Sequence, residues 1–489
     1  SPTAAGIPAA EWAVPALPPA APISREEYAR RREALAAAMG DGVLVVYGAA
    51  ESESSAPFAQ VPAFRYLTGL TEPGAALVMA KSGSDVRAQL FVLPRNPARE
   101  VWDGIRLGAE GAQALTGIPA RTVDRLRPAL DSLVARHRTV YTLSPEAGDG
   151  EWLGPEQQAV AALVARHPGT RVVPLAEPLQ RLRASKSPAE LDLLRRAAYV
   201  TVLAQRAAMR AIRPGMNEFE AQAVIEYVFR RNGAERPAFA TIVGSGPNST
   251  TLHYRSADRF MQAGEVVVMD VGASYRGYAA DVTRTVPVSG TFTPEQRAVY
   301  DIVLGAQKAA EASIRVGSTT MQQVGQTAAR SVAEGLARLG LIESPEAVYD
   351  CGQGRTCPQY RLFYMHGVGH GIGLDVHDPD VSYFGPFAVG SAFTIEPGIY
   401  VRADVLDHLP DTPANRALIA RIRPAVERYR DIGVRIEDDY LVTAAGVERV
   451  SAGAPREPEE IEALMRGEWP ANAERRPEVV EWYRQTTPR

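Results

Sequence analysis

The 489-residue chain has little cysteine, little excess charge and no long apolar run. Its longest apolar stretches, such as Val43–Val46 and Val266–Met269, fall far short of the roughly 18–20 residues that span a bilayer. The net charge of −4 at pH 7 gives no reason to expect nucleic acid or an anionic membrane as a partner. With 46% hydrophobic and 22% charged residues, the composition is typical of a soluble globular protein.

The two cysteines, Cys351 and Cys357, enclose the short polar stretch GQGRT. An even count at close spacing fits a small disulfide loop, which would imply an oxidising compartment, and two unrelated free thiols are the alternative. A zinc site would need two further soft ligands nearby. The chain also starts at Ser1 with an Ala/Pro-rich stretch. Together these features favour an exported protein, periplasmic or secreted, over a cytoplasmic one.

The length indicates two domains with tails rather than one core. Residues 1–23 are Ala/Pro-rich and predict an extended tail. Over 24–184, helical patterns alternate with β-type runs such as GVLVVYGA, AALVMA, AQLFVL and TVYTL, which predicts an α/β domain with a mixed sheet. A second domain is predicted over 185–465, followed by a C-terminal extension over 466–489.

The second domain contains two similar halves. Ser187, Pro188 and Glu190 give the first half a capped helix start, and the sequence TPEQ from Thr293 repeats that pattern. In each half, two helical segments precede β-type segments. This repeat predicts a pseudo-symmetric α+β domain with a site between its halves.

The first half carries two aspartates within GEVVVMDVGASYRGYAADVTRTVPV. The β-type runs predict two strands, and a hairpin centred between Tyr275 and Arg276 would place Asp270 opposite Asp281. Directly paired residues in an antiparallel ladder have Cβ atoms about 5 Å apart. Two carboxylates at that distance repel each other unless a cation joins them. The alternative is a solvated loop aspartate plus an edge-strand aspartate.

The second half places an acid directly after each of two β-branched runs, Glu396 in FTIEPGIYV and Glu437 in GVRIEDDYLVT. An unpaired buried charge at either position would be costly. Either acid alone would fit an edge strand, but the recurrence favours a shared site.

Residues 366–378 read HGVGHGIGLDVHD and hold three of the seven histidines. In an extended segment, His366 and His370 share one face and the four alternating glycines share the other. So many glycines disfavour a helical histidine pair, and the spacing does not match a dinucleotide-binding loop. The glycines therefore indicate close approach of neighbouring backbones. Two Asp, two Glu and one His suit a pair of divalent ions such as manganese or cobalt better than a structural zinc.

The order and spacing of Asp270, Asp281, His370, Glu396 and Glu437 resemble the dinuclear metal set of the pita-bread metallopeptidases. HGVGHGIGLDVHD, TIEPGIYV, VRIEDDYLVT and TIVGSGPNSTTLHY resemble the aminopeptidase P and prolidase branch of that family. The resemblance is strong over 186–465 and weaker before it, where FRYLTGLTEPGAALVM and REVWDGIRLG carry it. It implies a creatinase/ribonuclease-H-like N-terminal α/β domain followed by a pita-bread catalytic domain.

The resemblance also implies two divalent ions, manganese in the first place, with cobalt or zinc as alternatives. Asp270 would chelate one ion, Asp281 and Glu437 would bridge both, and His370 and Glu396 would complete the two shells. A water bridging the ions would be the nucleophile near neutral pH. Glu396 would carry its proton towards the leaving proline nitrogen.

Further residues are implied on the substrate side. His253 and His377 would flank the substrate and stabilise the tetrahedral oxyanion. His366, a further catalytic candidate, and Arg435 would support the ligands or line the pocket, and Tyr400 would line the proline pocket. A hydrogen-bonded core histidine at 366 and plain packing of Tyr400 are the alternatives. No role is assigned to the remaining histidines, His137, His167 and His408.

Several features depart from the family pattern or stand outside it. Trp102 matches a tryptophan that the family uses at or near a neighbouring subunit's site, although a half-buried packing tryptophan would look the same. Ala63 stands where relatives often carry a polar residue near the substrate entrance. No arginine occurs between His377 and Glu396, where dipeptidases tend to place one that grips the substrate carboxylate. The long segment between the two glutamate motifs predicts a helix over the site mouth.

The predicted function is aminopeptidase P-like hydrolysis of the Xaa-Pro bond at the N-terminus of proline-containing peptides, by a homodimer or homotetramer. The missing arginine favours this activity over a Xaa-Pro dipeptidase (prolidase). A non-catalytic peptide-binding module on the same fold would be expected to have lost the acids, and a creatinase-like hydrolase works without metals. A methionine aminopeptidase would lack the large N-terminal domain.

Overall fold

In the computed structural model, residue 17 and residues 20–51, 57–143 and 154–467 are described. The chain divides into two compact units, Ala21–Ser185 and a second unit that begins its main part at Lys186. Most of the tail predicted over 1–23 and of the extension predicted over 466–489 lies outside the described residues. No described helix is long and apolar enough to cross a membrane.

The first unit contains six described strands: β1 (Gly42–Tyr47), β2 (Ala76–Ser82), β3 (Asp85–Val92), β4 (Ala120–Thr122), β5 (Thr139–Thr142) and β6 (Arg171–Pro174). Its described helices are α1 (Arg25–Ala37), α2 (Pro62–Thr68), α3 (Pro97–Asp103), α4 (Gly108–Thr116), α5 (Leu126–His137), α6 (Pro155–Arg166) and α7 (Ala176–Ala184). The strands form one sheet in the order β4-β3-β2-β1-β5-β6. Antiparallel pairs (β1–β2, β2–β3) and parallel pairs (β1–β5, β3–β4, β5–β6) coexist, so the predicted mixed α/β sheet is confirmed.

The second unit contains the described helices α8 (Pro188–Ala211), α9 (Glu218–Arg231), α10 (Pro294–Ser313), α11 (Met321–Leu339), α12 (Pro413–Tyr429) and α13 (Pro458–Met465). Its described strands are β7 (Arg236–Pro237), β8 (Ile242–Ser245), β9 (Val266–Val271), β10 (Ala273–Tyr275), β11 (Tyr278–Ala279), β12 (Val282–Pro287), β13 (Val348–Gly352), β14 (Arg355–Pro358), β15 (Ala392–Ile395), β16 (Gly398–Val401), β17 (Ile432–Arg435), β18 (Asp438–Thr443) and β19 (Gly446–Arg449).

The predicted repeat is visible in this second unit. The helix pair α8 and α9 precedes the β8–β9–β12 sheet, and the pair α10 and α11 precedes the β15–β18–β19 sheet. Both pairs begin with the predicted capping box, Ser187 with Glu190 and Thr293 with Gln296. One apolar core cluster draws residues from both helix pairs and from β8, β9 and β17. The two halves therefore share a core.

The aspartate hairpin turns one residue later than predicted. Arg276 and Gly277 occupy the turn with φ angles of 48° and 80°, the positive values that suit the twist of a two-residue hairpin. Asp270 therefore lies opposite Thr283, and the predicted direct pairing with Asp281 is wrong. Because Asp281 and Thr283 are two residues apart, the aspartates still share one face of the ladder as diagonal neighbours.

The helix predicted in the segment between the glutamate motifs is confirmed as α12. Its buried residues Leu418, Ile422 and Val426 join the apolar core, and it contacts α10 and β13. Asn415 ties it to β13 through hydrogen bonds with both main-chain polar groups of Asp350, at 3.2 and 2.9 Å. Its control of access to the site stays a prediction.

Cys351 and Cys357 are joined by a disulfide across the β13–β14 hairpin, with their Cα atoms 5.7 Å apart. The alternative of two unrelated free thiols is therefore wrong. The bridge closes a short local loop, since its cysteines are six residues apart.

We expect thiol titration of the denatured protein to find no free thiol before reduction and two after it. Because the loop is short, replacing both cysteines by serine is expected to lower the free energy of unfolding by only about 2 kcal/mol, measured by urea denaturation. Two reactive thiols in the untreated protein would contradict the pairing.

Candidate metal centre

Both aspartates of the predicted ligand set are buried in the first half of the second unit. Asp270 lies in β9 and Asp281 directly precedes β12. The Asp270 Oδ2 atom accepts a hydrogen bond from Arg435 Nη2 at 2.6 Å. The main-chain nitrogen of Asp281 donates to the Asp439 carboxylate at 3.1 Å. Both aspartates are thus held by residues of the second half.

The two glutamates follow strands, as predicted. Glu396 comes directly after β15, and Glu437 lies between β17 and β18. Glu437 Oε2 accepts from Thr283 Oγ1 at 2.7 Å, and its main-chain nitrogen donates to the Thr283 carbonyl at 3.0 Å. Since Thr283 belongs to β12, these bonds fix Glu437 beside the aspartate hairpin of the other half.

Residues 366–372 run beside β15 without forming a regular strand, and residues 373–377 then bend, so that Gly371 bridges both Asp378 and Phe393. The His370 carbonyl accepts a hydrogen bond from Thr394 N at 2.8 Å. A Cβ atom on Gly369 would lie 2.0 Å from the Thr394 carbonyl oxygen, so the predicted close backbone approach is confirmed there. At Gly367 the prediction is wrong, because a Cβ atom would meet nothing within 4 Å.

The imidazole of His370 meets three carboxylates. Its Nε2 atom lies 3.6 Å from Asp281 Oδ2, 3.4 Å from Glu396 Oε1 and 3.9 Å from Glu437 Oε1. Ligand atoms of Asp281, His370 and Glu437 all lie within 4.8 Å of one another. Four of the five predicted ligands thus converge on one point, and Asp270 lies near enough for its charge to act on Asp281.

Three carboxylate oxygens of this cluster are buried without a hydrogen-bond partner: Asp270 Oδ1, Asp281 Oδ1 and Glu437 Oε1. A buried carboxylate oxygen that lacks a donor is costly, because it has lost its water and gained nothing. Oxygen ligands with one imidazole are a set that binds divalent cations such as manganese. The residues present therefore fit a divalent metal ion.

Burial and mutual repulsion change the acidity of these groups. Burial first, and then the charges of Glu437 and Asp270, raise the pKa of Asp281 well above its usual value. Burial and Asp270 raise the pKa of Glu437 to about 7, and burial beside His377 lowers the pKa of His370 to about 4. An acidic cluster with a neutral imidazole is the arrangement that a divalent cation stabilises.

Arg435, Tyr400 and His366 form a hydrogen-bonded chain behind Asp270. Arg435 donates to Asp270 and, through Nη1, to the Tyr400 hydroxyl at 2.8 Å. The same hydroxyl lies 2.9 Å from His366 Nε2, and His366 Nδ1 is 3.9 Å from Glu396 Oε2. Tyr400 is fully buried. The pocket and catalytic roles of these three residues stay predictions.

The two predicted substrate histidines are exposed. His377 packs on His370, with the ring centroids 4.1 Å apart. His253 lies in the loop that follows the 3₁₀ turn Gly246–Thr250, and the carbonyl of its neighbour Leu252 accepts from Arg435 Nη2 at 3.3 Å. His377 thus borders the cluster through its contact with His370, and His253 borders it through the bond between Leu252 and Arg435.

Sequence reasoning missed the fully buried ion pair that supports Glu437. Arg284 Nη2 donates to Asp438 Oδ1 at 2.7 Å, and both side chains are 0% exposed. Arg284 Nη1 also donates to the main-chain carbonyls of Thr283 and Glu437, at 2.8 and 2.6 Å. The available signal was the polar TRT within an otherwise apolar strand run, because buried strands of this kind are usually continuously hydrophobic.

Trp102 is 84% exposed in α3, so the alternative of a half-buried packing tryptophan is wrong. Val101 and Ile105 beside it are 82% and 79% exposed. The role of Trp102 at a neighbouring subunit stays a prediction.

Comparison with known proteins agrees with this geometry. Residues 192–444 match the sequence profile of metallopeptidase family M24, and residues 28–141 match that of the aminopeptidase P N-terminal domain. The chain is 35% identical to Xaa-Pro aminopeptidase of Escherichia coli (strain K12), over 91% of this chain and 98% of that protein. It is 32% identical to Homo sapiens Xaa-Pro aminopeptidase 3, over 82% and 75%.

Solved structures of similar proteins have the same fold. Proline aminopeptidase P II from Yersinia pestis superposes with a TM-score of 0.77 at 34% identity, covering 91% of this chain and 100% of that one. Escherichia coli aminopeptidase P with the inhibitor Pro-Leu superposes with a TM-score of 0.76 at 32% identity, covering 91% and 99%. The chain therefore belongs to metallopeptidase family M24, a family of hydrolases, with an aminopeptidase P N-terminal domain ahead of its pita-bread catalytic domain.

Proposed function

We propose that this metallopeptidase removes the first residue of peptides whose second residue is proline, by hydrolysis of the Xaa-Pro bond. The observation that carries the proposal is the convergence of His370 with Asp281, Glu396 and Glu437 from both halves of the second unit. The similarity to proteins named Xaa-Pro aminopeptidase supports the choice of substrate.

Five residues would hold the two divalent ions: Asp270, Asp281, His370, Glu396 and Glu437. Three unpartnered buried oxygens support this assignment. The chemistry that the ions, proposed to be manganese, supply when bound is activation of a water molecule and polarisation of the scissile carbonyl.

Glu396 is the proposed proton carrier. Its side chain is 18% exposed, against 8% for Asp281, 2% for Glu437 and 12% for Asp270, so it is the acid of the cluster most open to a substrate. It takes a proton from the attacking water and passes it to the leaving proline nitrogen. We assign oxyanion stabilisation to the exposed rings of His253 and His377.

A tetrapeptide Xaa-Pro-Yaa-Yaa is expected to be cleaved with a kcat/KM about tenfold or more above that of a Xaa-Pro dipeptide. The sequence contains no arginine between His377 and Glu396, so nothing there grips the free carboxylate of a dipeptide. Release of the first amino acid in the presence of manganese measures both rates. Preference for the dipeptide would assign the enzyme to the prolidases. No cleavage of either peptide, with no metal bound, would leave a non-catalytic peptide-binding protein.

The proposal extends to assembly and location. The exposed apolar side chains of Val101, Trp102 and Ile105 support a homodimer or homotetramer, because monomers rarely expose large apolar side chains next to one another. Light scattering after gel filtration measures the mass. The disulfide between Cys351 and Cys357 supports an oxidising, exported location.

A further inference from the structure

Glu218, the first residue of α9, is a buried acid outside the metal cluster. It is 0% exposed, and the described hydrogen bonds to its carboxylate come from donors on β8 and on residues 246–259. Oε1 accepts from Ser245 N at 2.6 Å, Ser245 Oγ at 2.7 Å and Asn248 Nδ2 at 3.2 Å. Oε2 accepts from the Tyr254 hydroxyl at 2.8 Å and Arg259 N at 3.1 Å. The Glu218 carboxylate thus holds β8 and the loop after it together by hydrogen bonds.

The loop over residues 252–258 depends on such side-chain bonds. Apart from a turn at Leu252 and His253, the loop forms no helix, strand or turn. His253 lies in it and is exposed. Ordering a loop that lies outside helices and strands costs conformational entropy, so side-chain hydrogen bonds largely set its position.

The neighbours of His253 on both sides are held by side-chain hydrogen bonds. The carbonyl of Leu252 accepts from Arg435 Nη2 at 3.3 Å, and that same atom donates to Asp270 Oδ2. The hydroxyl of Tyr254 donates to Glu218. The two neighbours of His253 are therefore anchored at different places, Leu252 on the Asp270 side of the metal cluster and Tyr254 on the buried Glu218.

We propose that Glu218 is a positioning residue that holds His253 in the place where it acts on the peptide. The proposal rests on the proposed function, because it presupposes that His253 touches the substrate. A carboxylate is needed because it is the one side chain of this length that only accepts hydrogen bonds. Glu218→Gln would turn an amide N–H₂ towards the main-chain nitrogen of either Arg259 or Ser245. Neither nitrogen can accept a hydrogen bond, so one tether would be lost.

A double-mutant cycle with His253 tests the proposal. Glu218→Gln is expected to lower kcat for a Xaa-Pro tetrapeptide by about tenfold or more, since a misplaced contact of about 1 Å costs up to a hundredfold. Its bound metal is expected to be unchanged. In a His253→Ala background, Glu218→Gln is expected to change kcat by less than about twofold, because the group that it positions is gone.

A milder variant and a matched control accompany the cycle. Tyr254→Phe removes one hydroxyl and is expected to lower kcat about threefold to tenfold in the native background only, which keeps the test open if Glu218→Gln fails to fold. Glu190→Gln is the control, since Glu190 is also buried, at 4% exposed, and accepts from a tyrosine hydroxyl (Tyr278, 2.9 Å) and a main-chain nitrogen (Ser187, 3.0 Å). We expect it to leave kcat within about twofold.

The outcomes separate this inference from the proposed function. An equal loss on Glu218→Gln with and without His253 would overturn the positioning role and leave a general effect on folding. A His253→Ala enzyme as active as the native one would also overturn it. Failure of the native enzyme to cleave any Xaa-Pro peptide with manganese would instead overturn the proposed function.

Discussion

Asp281→Asn is expected to lower kcat/KM for a Xaa-Pro peptide by about 10⁴-fold or more, with loss of bound metal. The Asp281 carboxylate lies among His370, Glu396 and Glu437, with one oxygen unpartnered. An amide of the same shape carries no charge and offers one oxygen in place of two, so it would be a weaker ligand for a divalent cation. Steady-state kinetics with manganese and metal analysis of the purified protein measure the two losses.

The same substitution is expected to stabilise the metal-free fold. Burial and the charges of Glu437 and Asp270 raise the pKa of Asp281, which means that its ionised form is unfavourable in the folded protein. Removing that charge is expected to raise the free energy of unfolding by about 1–2 kcal/mol in the presence of a chelator. With manganese the native protein is expected to have the higher free energy of unfolding, because only the native protein gains stability from the metal.

Asp407→Asn is the matched control, since Asp407 is exposed and lies outside the cluster. Its activity, metal content and stability are expected to equal those of the native protein. An Asp281→Asn enzyme that keeps its metal and activity within about tenfold would contradict the assigned ligand.

Arg284→Met is expected to lower the free energy of unfolding by about 3–5 kcal/mol. Arg284 and Asp438 are both 0% exposed and lie 2.7 Å apart. Removing the guanidinium takes the nearest cation from the buried carboxylate, leaving Arg449 and Arg456 at 3.5 Å. It also frees the carbonyls of Glu437 and Ala454, which accept from Arg284 at 2.6 and 2.8 Å. Urea denaturation measures the loss, and metal affinity should fall with it because Glu437 loses an anchor.

Arg297→Met gives a surface comparison. Arg297 and Asp301 lie at the same distance, 2.7 Å, but their side chains are 38% and 50% exposed, so the loss is expected to be below about 1 kcal/mol. Adding Asp438→Leu to Arg284→Met is expected to recover part of the stability, since the buried carboxylate that lost its nearest cation is then gone. A loss below about 1 kcal/mol for Arg284→Met would contradict this role and show that Arg449 and Arg456 balance the Asp438 charge by themselves.

The helix starts were predicted correctly because the residues that cap a helix lie close together in the chain. The capping boxes at Ser187 and Thr293 join residues three apart in the chain, so they predict where α8 and α10 begin. The hairpin register was predicted wrongly because the sequence does not show where the turn lies. It depends on a positive φ angle at Arg276, which is uncommon for a residue with a side chain, and nothing in the sequence marks Arg276 for it.

By itself, the sequence determined the two-domain α/β and α+β organisation and the types and order of the residues proposed to bind metal. Only the tertiary structure decided which groups hold them. Arg435 meets Asp270 across 165 residues, and Thr283 meets Glu437 across 154. The physical reason is that the first set depends on periodicity and residue chemistry along the chain, whereas such contacts exist only once the two halves have packed around one core.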